Sequence, residues 1–153
     1  MKKYFFRIGI ILFLAVVLFV CVVFVRRADA PSAVSKFADV TIGQETLHVE
    51  LAQTQSEQMK GLSDRDEIGS DGMLFFFPES QSVKFWMKDM RFALDMVWIL
   101  DTTIVGIDRD VLPPTVGRDI EVRQSPGLIS AVLEVEAGGA DSWAIGQTVS
   151  VSY

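Results

Sequence analysis

The chain has 153 residues, 14 of them basic and 20 acidic, with one cysteine and one histidine. Five of the basic residues lie in the first 27 positions, so the following 126 residues hold 9 basic against 20 acidic, a net of −11. That length suits one compact domain rather than two. Its charge repels phosphate backbones and excludes nucleic acid as a natural partner.

Residues 8–25 form an unbroken run without a charged or amide side chain. As a helix it would extend roughly 27 Å, close to the thickness of a bilayer's hydrocarbon core. Lys2, Lys3 and Arg7 precede it, and Arg26 and Arg27 follow. This distribution predicts a single-pass anchor over residues 1–27, with a cytoplasmic N-terminus and the remainder outside. A cleaved signal segment is the alternative, because Ala28-Asp29-Ala30 has the small-residue pattern of a cleavage site. That alternative gives a secreted or periplasmic product. In both cases the domain is extracytoplasmic, and the lipid bilayer is the partner of residues 8–25 in the anchored form.

Residues 28–36, with Pro31, read as a tether. From residue 37 to 153 the dominant period is two. Thr46-Leu47-His48-Val49-Glu50-Leu51 alternates, and a strand at 39–42 joins it through Gly43-Gln44 as a hairpin. Further strands are predicted at 73–77, 83–88, 94–100, 104–107, 129–135 and 148–151. Thr54-Gln55-Ser56-Glu57 is a capping box that opens a short helix ending at Gly61. A second helical turn is expected over 141–146, and a long loop over 111–126 with three prolines. The fold class is all-β, a jelly-roll-like sandwich or barrel of about eight strands with one or two short helices. The only cysteine, Cys21, lies in the anchor, so no disulfide supports this domain and packing must hold it.

Familiar catalytic signatures are missing: no phosphate-cradling glycine loop, Cys-x-x-Cys, His-Glu-x-x-His or Gly-x-Ser-x-Gly. His48 falls on the polar face of its strand. Met73, Met87 and Met90 with His48 would be soft copper(I) ligands, but methionines in apolar strands read as core. No metal or cofactor is expected. In Phe85-Trp86-Met87-Lys88, strand parity turns Phe85 and Met87 one way and Lys84, Trp86 and Lys88 the other. A tryptophan between lysines suits stacking on a sugar or gripping a peptide, or simple cover from lysine stems. Asp95 and Glu134 both stand in apolar strand contexts. A buried carboxylate needs a cation or several donors, or else it takes up a proton. Arg65, Lys88 and Arg91 are the candidate partners for Asp95.

Four blocks carry a resemblance. They are Gln58-Met59-Lys60-Gly61-Leu62-Ser63-Asp64-Arg65, Asp71-Gly72-Met73-Leu74-Phe75-Phe76-Phe77, Phe85-Trp86-Met87-Lys88 with Leu94-Asp95-Met96, and Ala131-Val132-Leu133-Glu134 with Ala137-Gly138. In order and spacing, from about Val40 to Val151, the chain resembles domain-of-unknown-function family 192. The resemblance implies a jelly-roll-like or barrel-like β domain, often behind a signal or anchor, and no established activity. It also groups Arg65, Trp86, Lys88 and Asp95 as one cluster. The family pattern continues with asparagine and threonine where this chain has Asp89 and Met90, which points to an altered contact there.

The functional expectation is a membrane-tethered extracytoplasmic binding domain for an envelope polysaccharide or a protein segment. Its candidate binding residues are Arg65, Trp86, Lys88, Asp95 and Glu134. Two alternatives stand beside it. One is a hydrolase using Asp95 or Glu134 as acid or base, with Arg65 or Lys88 stabilising negative charge. The other is an envelope assembly factor that pairs through a strand edge.

Overall fold

A computed structural model describes residues 36–117 and 119–153. The anchor and all of the tether but Lys36 lie outside the described residues. Among the described residues, no helix is long and apolar enough to cross a membrane.

Nine strands and one helix are present among the described residues. They are β1 (Phe37–Ile42), β2 (Glu45–Ala52), α1 (Gln55–Lys60), β3 (Gly72–Gln81), β4 (Lys84–Trp86), β5 (Leu94–Leu100), β6 (Thr103–Val111), β7 (Val122–Gln124), β8 (Ile129–Glu136) and β9 (Val149–Ser152). Seven strands form one sheet in the order β6-β5-β8-β3-β2-β1-β9, and β4 and β7 form a separate ribbon. The hairpin at Gly43-Gln44 is present, with Gly43 at φ +63°. The capping box is also present: Thr54 accepts from the Glu57 amide, while the Glu57 carboxylate accepts from the Thr54 amide.

The sheet is mixed. β2 and β3 run parallel, and α1 lies in the crossover between them; the other sheet pairings are antiparallel. The sheet curls until its edge strands meet at one end. Thr103 bridges Thr148, the Val149 amide donates to the Thr102 carbonyl at 2.8 Å, and the Ile104 amide donates to the Gln147 carbonyl at 3.0 Å. The concave side is filled by Val40, Val49, Leu74, Val97, Ile104 and Leu133, with Trp143 packed at 4% exposure. The opposite face of β3, β5 and β8 is buried too. There Phe75, Met96, Trp98 and Val132 pack beneath Leu62 and Met87. Burial on both faces explains why β5 reads as a continuous apolar run rather than an alternation.

Three details differ from the sequence reading. The proline-containing stretch is not loop throughout, because Val122, Arg123 and Gln124 pair with Trp86, Phe85 and Lys84. The strand expected at 83–88 shortens to three residues, since Met87 to Met90 forms a turn closed by the Met90 amide on the Met87 carbonyl. Residues 141–146 form hydrogen-bonded turns, not a second helix.

Candidate functional site

The alternation of β3 sends Met73, Phe75 and Phe77 to the outer face, where α1 and the β4–β7 ribbon cover them unequally. The Gln58 side-chain amide fixes α1 over β3 by donating to the Phe76 carbonyl at 2.9 Å and the Ala52 carbonyl at 3.3 Å. Phe85 stands edge-on to Phe75 at 4.9 Å and to Trp98 at 5.7 Å, which fixes β4 on the other side. Between these two walls lies a cleft of about 260 Å³. Gln58, Met59 and residues 61–63 line one side, and Val83 to Trp86 line the other. Phe75, Phe77, Leu94 and Glu134 also line it.

Glu134 is the chemically distinctive group. The β8 register sets it beside Met73 on β3 and Met96 on β5, in the apolar outer layer. It is 5% exposed, and no group among the described residues hydrogen-bonds to its carboxyl. It is not a sealed orphan, because the carboxyl opens into the cleft. Burial without a partner pushes its pKa from 4.5 to about 8. At neutral pH it is therefore a protonated acid, able to donate one hydrogen bond and accept another. At the cleft's rim, Trp86 is 45% exposed, and Lys84 has no ion-pair partner among the described residues. Lys60, on the opposite wall, is paired with Asp64.

Of the five residues singled out from sequence, the cleft brings together Trp86 and Glu134. The other three lie elsewhere. Arg65 grips Glu50 with both terminal nitrogens, at 2.6 and 3.0 Å, and donates to the Ile68 carbonyl at 3.1 Å. This contact holds the Glu50 carboxyl below, and the Arg65 guanidinium above, their usual pKa values. Lys88 is exposed, with its ammonium 3.9 Å from Asp89. Asp95 is fully buried, and its partners are neither Arg65, Lys88 nor Arg91. One oxygen accepts from the Asp110 amide at 2.9 Å; the other accepts from the Gly138 and Ala140 amides, both at 3.0 Å. Asp95 thus fastens a bulge in β6 to the turn after β8. Asp95 and Glu134 do not form an acid–base pair. Asp95 is paired across the sheet with Val135 of the concave core, and Glu134 with Met96 of the outer layer, so they project from opposite faces.

The aromatic floor escaped the sequence reading because Phe75 and Phe77 are indistinguishable there from ordinary core. Met90, at one of the positions departing from the family pattern, lines the cleft and supplies a thioether to it. Asp89, at the other, adopts φ +58° and accepts from the Asp64 amide through its carbonyl. Among the described residues, no group of three or more His, Cys, Asp or Glu side chains is arranged to hold a metal.

The fold and cleft therefore define a mostly β domain with a curled seven-stranded sheet and, on its outer face, a cleft with an aromatic floor and partly polar walls. Residues 38–152 match the model of family DUF192, described as an uncharacterized ACR, and the chain belongs to that family. A crystal structure from Sinorhizobium meliloti 1021, named as a candidate transcription regulator, is 31% identical with a TM-score of 0.67; the match covers 78% of this chain and 98% of that one. A protein of unknown function from Novosphingobium aromaticivorans DSM 12444 is 29% identical with a TM-score of 0.68, covering 78% of this chain and 89% of that one. No curated protein matches the chain.

Proposed function

We propose that this domain is a binding module whose ligand places an apolar group in the cleft between α1 and β4. The observation that carries the proposal is Glu134, a carboxyl with no hydrogen-bond partner among the described residues, on the wall of a solvent-reaching cleft floored by Phe75 and Phe77. A partnerless buried acid costs stability, and a ligand that supplies the missing hydrogen bond removes that cost. The aromatic floor favours an apolar side chain or ring, and the polar groups on the walls, Gln55, Ser63 and Lys84 among them, are available to the ligand's polar atoms. The apolar run at 8–25 and its basic flanks support display of residues 37–153 outside a membrane. The Sinorhizobium protein is named as a candidate transcription regulator; for this chain, direct contact with DNA is opposed by the domain's net charge of −11.

Neutral ring compounds carrying a carbonyl, such as acetophenone, should perturb the NMR signals of Phe75, Phe85 and Leu94 at millimolar concentration. Trp86→Ala should weaken that binding by about threefold to tenfold and leave folding stability within ~1 kcal/mol, since the ring lies at the rim. Binding should fall above pH 8, where Glu134 loses the proton it donates. If neither such rings nor envelope oligosaccharides shift the cleft's signals, the binding proposal is wrong.

A further inference from the structure

We infer that the occupant of this cleft is an extended polypeptide segment that adds as a strand to the free edge of β4. The inference rests on the binding role proposed for the cleft and names the ligand's class.

Backbone parity supports it. The Ser125 amide donates to the Val83 carbonyl at 3.0 Å, and the Met87 amide donates to the Glu121 carbonyl at 3.0 Å. In an antiparallel pair, alternate residues turn their N–H and C=O groups toward the partner. Val83, Phe85 and Met87 therefore face β7, while the backbone groups of Lys84 and Trp86 point the opposite way. Among the described residues, β4 has β7 as its sole strand neighbour, and no other segment pairs with Lys84 or Trp86 through the backbone. That unused edge borders the cleft: residues 83–86 all line it, and no residue of β7 does. An open strand edge facing a helix across an aromatic-floored cleft is a geometry that holds a peptide by main-chain hydrogen bonds and selects it by side chain.

The side chains around the edge specify the segment. A residue beside Phe85 would point the same way as Phe85, into the cleft toward Glu134, and should be large and apolar. Its two neighbours would point outward beside Lys84 and Trp86, close enough for cross-strand pairing. Lys84 has no ion-pair partner among the described residues and calls for a carboxylate. Trp86, with its exposed ring, calls for an aromatic or branched side chain. The segment is thus acidic, apolar and aromatic at three consecutive positions, in the order set by strand direction.

The test pans a phage-displayed library of random heptapeptides against the full chain in detergent, then measures the best peptide by calorimetry. Enrichment of the acidic–apolar–aromatic pattern is expected, and Lys84→Glu should reverse the charge preference at the acidic position. N-methylation of one alternate set of peptide residues should weaken binding by roughly tenfold or more, and N-methylation of the other set should not. Enrichment without the pattern, no enrichment over Lys84→Glu, or indifference to N-methylation overturns strand addition. Ring compounds that still bind the cleft would then leave the binding role standing, and their failure would remove both.

Discussion

Asp95→Ala is expected to cost roughly 3–5 kcal/mol of folding stability, among the largest effects for a single polar side chain in this domain. The carboxylate is the sole side-chain acceptor for the amides of Asp110, Gly138 and Ala140, and its removal leaves three donors around a site with no exposure. Asp110 sits at φ +52°, so the bulge it forms depends on outside support. Asp95→Asn keeps one acceptor oxygen but presents an N–H₂ to the remaining donors, and should cost about half as much. Denaturant unfolding measures both. An alanine variant within ~1 kcal/mol of wild type would show that the three contacts do not hold these segments together.

The second large effect is a dependence on pH that runs opposite to that of a paired carboxylate. Glu134 holds its proton in the folded chain up to about pH 8, whereas an unfolded chain releases it near 4.5. Between those values unfolding releases a proton, so this group's contribution to stability is fully present below about pH 4.5 and is lost as pH rises through about 8. The interval corresponds to roughly 5 kcal/mol as an upper limit, reduced by any water that enters the cleft. Glu134→Gln keeps the shape and cannot ionise. The variant should lack this slope and exceed wild type in stability at pH 9. Glu50 does not mask the effect: its carboxyl is held below its usual value by Arg65, and its contribution fades only as pH falls below about 4.5. Parallel pH profiles for the wild type and Glu134→Gln would contradict the assignment.

Local features were legible in the sequence where one segment contained the whole signal. The alternation of β2, the glycine at its hairpin, the capping box before α1 and the outward turn of Trp86 each depend on a few neighbouring residues. Both buried acids were also visible, since a carboxylate inside an apolar strand needs an explanation. What was not visible was which explanation applied. Asp95 is served by backbone amides 43 and 45 residues further along the chain, and backbone donors leave no mark in side-chain patterns. Its separation from Glu134 follows from the β5–β8 register, which sequence does not state. The cleft depends on the parallel crossover that lays α1 beside β4, so Phe75, Phe77 and Gln58 looked like core and helix surface. β7 was hidden because three residues with half-exposed side chains form a strand only when β4 is alongside.

The most direct measurement is the ionisation of Glu134 itself, followed through its side-chain carboxyl carbon by ¹³C NMR, with Glu134→Gln to identify the signal. A midpoint near 8 that moves when an apolar carbonyl compound occupies the cleft is the expected result. A midpoint between 4 and 5, unmoved by any cleft ligand, would mean the carboxyl is solvated or paired, and the account of the cleft as a binding site would fail.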